Sequence, residues 1–103
     1  MILSIRTAGC QAGKQAAGFA WAVKVAAHIN GAVPGVNLRV TRSIGGMVSD
    51  VHWISEYASL ADFETKWTAI EGNAGYQTLL KEARDAMLFD PRTLRDALHQ
   101  TIG

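Results

Sequence analysis

Arg39, Asp50, His52 and Glu56 are the residues of this chain whose types and spacing best suit chemistry. A histidine flanked by carboxylates can move a proton at neutral pH, and an arginine can hold an enolate or a carboxylate. In that reading His52 is the acid/base, Arg39 the anion clamp and Asp50 the carboxylate that accompanies the imidazole. The same residues also fit a hydrogen-bonded, ion-paired network without chemistry, because charges taken out of water must be paired. They do not suit a metal ion. Asp50, His52 and Glu56 on one strand face spread their ends ~20 Å apart at ~3.3 Å per residue. No metal site and no cofactor are expected.

A second group is aromatic: Trp53, Tyr57 and Trp21, with Arg42 and His28 as polar companions. Small-molecule sites are apolar clefts with a few polar groups, so these five could line a pocket between a sheet and its helices, with Trp53 as a stacking wall. Aromatic side chains at strand and helix spacing are also what an ordinary core contains. The stretch from Gly9 to Gln15 resembles a phosphate-binding loop. It has one residue too few between its glycines, and Gln15 stands where a hydroxyl should hold magnesium. Cys10 is the single cysteine, so no internal disulfide forms; its place near a helix start could lower its pKa, but an ordinary small residue there is the stronger reading.

The elements that position these residues follow from periodicity. Residues 36–57 read as a hairpin about Gly45-Gly46, because a tight type I′ turn needs φ > 0 at both central positions. With Ile44 and Met47 flanking the turn, Arg39 lies opposite His52 and Thr41 opposite Asp50. Alternation then puts Val36, Leu38, Val40, Val51, Trp53 and Tyr57 on an apolar face, and Arg39, Asp50, His52 and Glu56 on a polar one. Ile2 to Thr7 is a short strand. A helix from about Cys10 to Ile29 buries the stripe Ala16, Phe19, Ala20, Val23, Ala26, Ala27 and Asn30, with Trp21, Val25 and His28 flanking it.

Ser59-Leu-Ala-Asp62 has the form of a capping box and starts a helix burying Leu60, Phe63, Trp67 and Ile70. Residues 71–75 break it, and a second helix buries Tyr76, Leu79, Leu80, Ala83 and Met87. Residues 90–103 send mixed signals. Asp90-Pro91 is a helix start, whereas Leu94, Leu98 and Ile102 also share one face of a strand. The fold argument favours strand.

One domain is expected over residues 1–103. With 49% hydrophobic and 18% charged residues the chain is globular. The net charge of +1, with no basic run, gives no footprint for nucleic acid. No long apolar run suits a membrane span, and the N-terminus lacks the features of a signal peptide, so a cytoplasmic protein is expected.

Strand, helix, strand, strand, helix and strand is the split βαβ order of ferredoxin-like α+β domains. The run Tyr57-x-Ser-Leu-Ala-Asp-Phe63-x-x-x-Trp67, then Gly75-Tyr-Gln-x-Leu-Leu80, resembles the dimeric α/β-barrel superfamily, especially its small NIPSNAP-like members. The resemblance implies a homodimer whose sheets face each other with the helices outside. It implies kinship with cofactor-independent oxygenases, haem-degrading oxygenases and lactone isomerases, and so a planar or enolisable substrate. A non-catalytic homodimer that binds a ligand or protein is the alternative, and haem binding through His28 or His52 a second. No catalytic set of any branch matches residue by residue.

Overall fold

A computed structural model describes all 103 residues. Strand β1 (Ile2–Cys10) is followed by helix α1 (Gln15–Ala32) and by strands β2 (Arg39–Arg42) and β3 (Asp50–Tyr57). Helices α2 (Leu60–Glu71) and α3 (Ala74–Asp85) lead to strand β4 (Phe89–Gln100). The strands make one antiparallel sheet in the order β2-β3-β1-β4, the ferredoxin-like α+β arrangement expected from the element order. β4 decides between its two local readings as a strand. It pairs with β1 from Cys10↔Phe89 to Ile2↔Gln100, satisfying the edge that β1 would otherwise expose. Tertiary pairing outweighs the helix-start signal of Asp90-Pro91.

α1 differs from its expected form in start, end and face. It begins at Gln15, because β1 runs on to Cys10, whose N–H donates to the Ser49 carbonyl at 3.0 Å. It continues through Gly31 to Ala32, since Asn30 does not cap it. The Asn30 side chain instead exchanges two hydrogen bonds with the backbone of Leu38, at 2.7 and 3.1 Å. The buried face is Gly18, Trp21, Ala22, Val25, Ala26 and Ile29, and Val23 is left exposed. Trp21, Val25 and Ile29 carry this face, and the Trp21 indole N–H finds the Leu79 carbonyl there, while Phe19 of the rival stripe packs only part-buried at the edge of the core.

The hairpin is also wider than a two-residue turn. Residues 43–49 form a loop in which Gly46 alone takes a positive φ, of 69°, so the type I′ requirement at both positions is not met. Ile44 and Met47 project into solvent. Pairing shifts by two residues: Arg39 lies opposite Ile54, not His52, and Thr41 opposite His52, not Asp50. An even shift preserves the faces, so the expected division into apolar and polar sides holds.

α2 begins at Ser59, whose Oγ accepts from the Asp62 N–H at 3.1 Å, while the Asp62 carboxylate accepts from the Ala58 N–H at 3.1 Å. The chain breaks at Gly72, and Asn73 caps α3 by accepting from the Tyr76 N–H at 2.8 Å. Ile70, Tyr76, Leu79 and Ala83 are buried as expected, but Leu60 and Met87 are exposed. Met87 lies past the end of α3 with φ 52°, in the left-handed role usually given to glycine. The helices pack on one face of the sheet over β2 and β3 and leave the outer part of β4 uncovered, so Leu94 and Leu98 are about half exposed. No helix is long and apolar enough to cross a membrane.

Candidate functional site

A cavity of about 700 Å³ lies between the helices and the sheet, within the usual range for a small-molecule site. Arg6 on β1 and Trp53 on β3 form its floor, and Trp21, Trp67 and Tyr76 reach in from the three helices. It opens along β4, past Leu94 and Leu98.

The walls are fixed. The Trp21 indole N–H donates to the Leu79 carbonyl at 3.0 Å and the Trp53 indole N–H to the Ala22 carbonyl at 3.1 Å. Both rings meet each other and Phe89 edge-on, with centroids 5.5–6.2 Å apart. Their N–H groups are therefore spent, and they present apolar surface only. Phe63 stacks on Trp67 at 6.4 Å, and the buried Ser55 hydroxyl donates to Tyr57 Oη at 2.9 Å.

Within these walls the charged pair on the floor is Arg6 and Asp96. Arg6 grips Asp96 of β4 with two hydrogen bonds, Nε to Oδ1 at 2.7 Å and Nη2 to Oδ2 at 2.8 Å. This two-toothed geometry fixes the guanidinium plane. The guanidinium carbon lies 4.7 Å from the centre of the Trp67 ring, a cation–π contact. Hydrogen bonding to Arg6 holds the Asp96 carboxyl below the usual carboxylate range, and the Arg6 pKa is raised in return. The Tyr76 phenol lies against Arg6, and burial pushes its pKa up, so it is a protonated donor at neutral pH. A fixed cation and a phenol O–H beside it can stabilise negative charge on a substrate oxygen.

Sequence reading misses Arg6 for a physical reason. Leu3 and Ile5 mark one side of β1 as its apolar face, yet Ile2, Ser4, Arg6 and Ala8 turn toward the helices. The available signal is an arginine inside a strand that becomes central in the sheet.

Of the residues expected to bind a ligand, Trp53, Tyr57 and Trp21 line the cavity, and Arg42 and His28 do not. The Arg42 guanidinium covers Phe19 at 4.9 Å, where that ring packs part-buried at the edge of the core. His28 Nε2 bonds Asn73 Oδ1 at 2.8 Å. That oxygen also accepts from the Tyr76 N–H, so Nε2 carries the proton and the ring braces the start of α3. The ring sits over Gly75, where a Cβ would fall 2.4 Å from it.

Arg39, Asp50, His52 and Glu56 share the sheet's opposite face, but the structure divides them. His52 touches neither carboxylate: Nδ1 meets Thr7 Oγ1 at 2.8 Å and Nε2 meets Ser43 Oγ at 2.9 Å. Asp50 is buried and accepts from Arg95 Nη2 at 3.1 Å. Arg39 approaches Glu56 at 3.9 Å, with both side chains more than half exposed. Arg39 is thus not beside His52, as the tighter hairpin implied. Trp53 and His52, successive on β3, point to opposite faces, so one ligand cannot contact both within a chain. Cys10 does not show the lowered pKa that a helix start could give. It ends β1, and burial, with Asp50 adding to it, pushes its thiol pKa up.

No protein-family model matches the chain, and no functionally curated protein matches it in sequence. Solved structures do. An uncharacterised NIPSNAP-domain protein from Burkholderia xenovorans superposes with a TM-score of 0.80 at 14% identity, over 99% of this chain and 95% of its own. A NIPSNAP-family protein of unknown function from Agrobacterium tumefaciens gives 0.78 at 17%, over 98% and 87%. The chain has the NIPSNAP-like ferredoxin fold. A candidate antibiotic biosynthesis monooxygenase from Nitrosomonas europaea shares that fold, with a TM-score of 0.73 at 14% identity over the full length of both chains. The resemblance carried by Tyr57–Leu80 therefore agrees with these neighbours at the level of fold.

Proposed function

We propose that the helix-side cavity binds a small planar, enolisable molecule, and that the protein acts on it as a cofactor-independent oxygenase or isomerase. The observation that carries this reading is the Arg6–Asp96 pair beside Tyr76, a fixed polar group in a mainly apolar, aromatic-rich cavity of about 700 Å³. The aromatic walls suit a flat ring system, and Arg6 with Tyr76 suits the oxygen of its carbonyl or enolate. The carboxylates lining the cavity, Asp90 and Asp96, are both ion-paired and held below the usual range. No unpaired carboxylate or imidazole lines it to take a proton. The substrate must therefore bring an acidic C–H of its own, as an anthrone does, losing that proton to solvent water at the open mouth while Arg6 and Tyr76 favour the enolate, which dissolved oxygen then oxidises. The monooxygenase-like neighbour supports this direction by fold analogy.

The protein with an anthrone is expected to consume dissolved oxygen faster than the anthrone alone, followed with an oxygen electrode. Binding without oxygen consumption or isomerisation would favour the non-catalytic ligand-binding reading. The paired state of Asp90 and Asp96 is the observation on that side.

We also read the open sheet face as the surface that joins two copies of the chain. Leu3, Ile5 and Ile54 lie there only half covered, among polar pairs that are already satisfied. Light scattering is expected to give twice the chain mass, and Ile54→Lys to give the chain mass.

A further inference from the structure

The cavity's charges do not cancel. Arg6 is neutralised by Asp96, and Asp90 is held by Arg92 at 2.9 Å. Arg84 has no such partner. It lines the cavity from the last turn of α3 and is exposed; its carbonyl accepts from the Met87 N–H, while its guanidinium enters no hydrogen bond or ion pair. Its neighbour Asp85 is engaged by Lys81 at 2.6 Å, and Arg84 adds only a weaker charge interaction that helps lower the Asp85 pKa. Around it the rim is apolar, made by Met87, Pro91 and Leu94. A cation at the end of a helix interacts favourably with the helix dipole, and that alone would account for its position in sequence. The dipole does not require it to line an apolar cavity as the only unpaired charge there.

We propose that the ligand is an aromatic acid, whose ring enters between Trp53 and Trp67 while its carboxylate stays at the mouth on Arg84. This deepens the functional reading above and rests on it. The anion is the only charge the cavity can still pair. It binds at the rim, where it keeps part of its hydration, rather than inside, where the N–H groups of Arg6 that Asp96 leaves free serve the substrate's carbonyl or enolate oxygen.

The test uses calorimetric titration of the purified protein with 2-naphthoate and with the isosteric neutral 2-naphthamide. Naphthoate is expected to bind about five- to tenfold tighter, as a charge-assisted bond partly screened by water should allow. Added salt is expected to weaken naphthoate and not the amide. Arg84→Gln keeps a good helix former and is expected to abolish the preference while leaving the amide affinity unchanged. Equal affinities for the two probes in the wild type, or an equal loss of both in the variant, would overturn the assignment of Arg84 and leave the cavity as a ligand site. If neither probe binds, the cavity reading and the assignment fall together.

Discussion

Arg6→Gln is expected to keep the fold and lose the ligand. Arg6 supplies the fixed charge of the cavity, aligned by two bonds to Asp96 and by the Trp67 ring beneath it. Glutamine offers one amide in place of the guanidinium fork, so it cannot hold Asp96 in the same way or present a cation to a substrate oxygen. Removing a preorganised donor from the site of developing negative charge lowers turnover by about 100- to 1000-fold. Affinity for a planar ketone is expected to fall at least tenfold. Stability should change little, because the side chains are 28% and 55% exposed and a pair of that kind contributes about 1 kcal/mol or less. The check is turnover and affinity beside a thermal melt. A large loss of melting temperature with unchanged affinity would make Arg6 a structural residue.

Trp53→Ala should do the reverse and damage the fold first. Trp53 is 8% exposed, donates to the Ala22 carbonyl, and touches both Trp21 and Phe89 edge-on. Truncating a buried tryptophan costs about 3–5 kcal/mol, a large share of the ~5–15 kcal/mol that holds a domain together. At about 4–8 °C per kcal/mol for a domain of this size, the melting temperature should fall by more than ~12 °C. Trp53→Phe retains ring contacts, loses the hydrogen bond, and should fall by less than half as much. A shift within ~3 °C for the alanine variant would mean that this aromatic cluster does not support the sheet.

Much of the fold is legible from local patterns, because period-2 alternation in β3, the Ser59 cap and the break over residues 71–75 are short-range signals that tertiary structure respects. Trp53 and Tyr57 fall under the helices as alternation demands. The site is less legible. Arg6 turns inward although Leu3 and Ile5 make the other side of β1 look like the core, and its partner Asp96 is 90 residues away. No short-range spacing joins two residues that meet only when β4 pairs with β1. The polar hairpin face shows the opposite limit. Its residues are neighbours in sequence and share a face in the structure, but a register two residues from the tight-turn expectation gives Arg39, Asp50 and His52 separate partners. α1 fails for a third reason. Two stripes compete on an alanine-rich helix, and the one carrying the tryptophan is buried.

The account turns on which sheet face holds the ligand. The most direct measurement is a two-dimensional 1H–15N NMR titration of the assigned protein with 2-naphthamide, chosen because it needs no charged partner. The cavity reading predicts shifts at the Trp21, Trp53 and Trp67 indole N–H groups, at the Arg6 Nε–H and at the Tyr76 amide, with His52, Asp50 and Arg39 unmoved. Shifts centred on His52 and Asp50, with the indoles and Arg6 unchanged, would place binding on the open sheet face and contradict it.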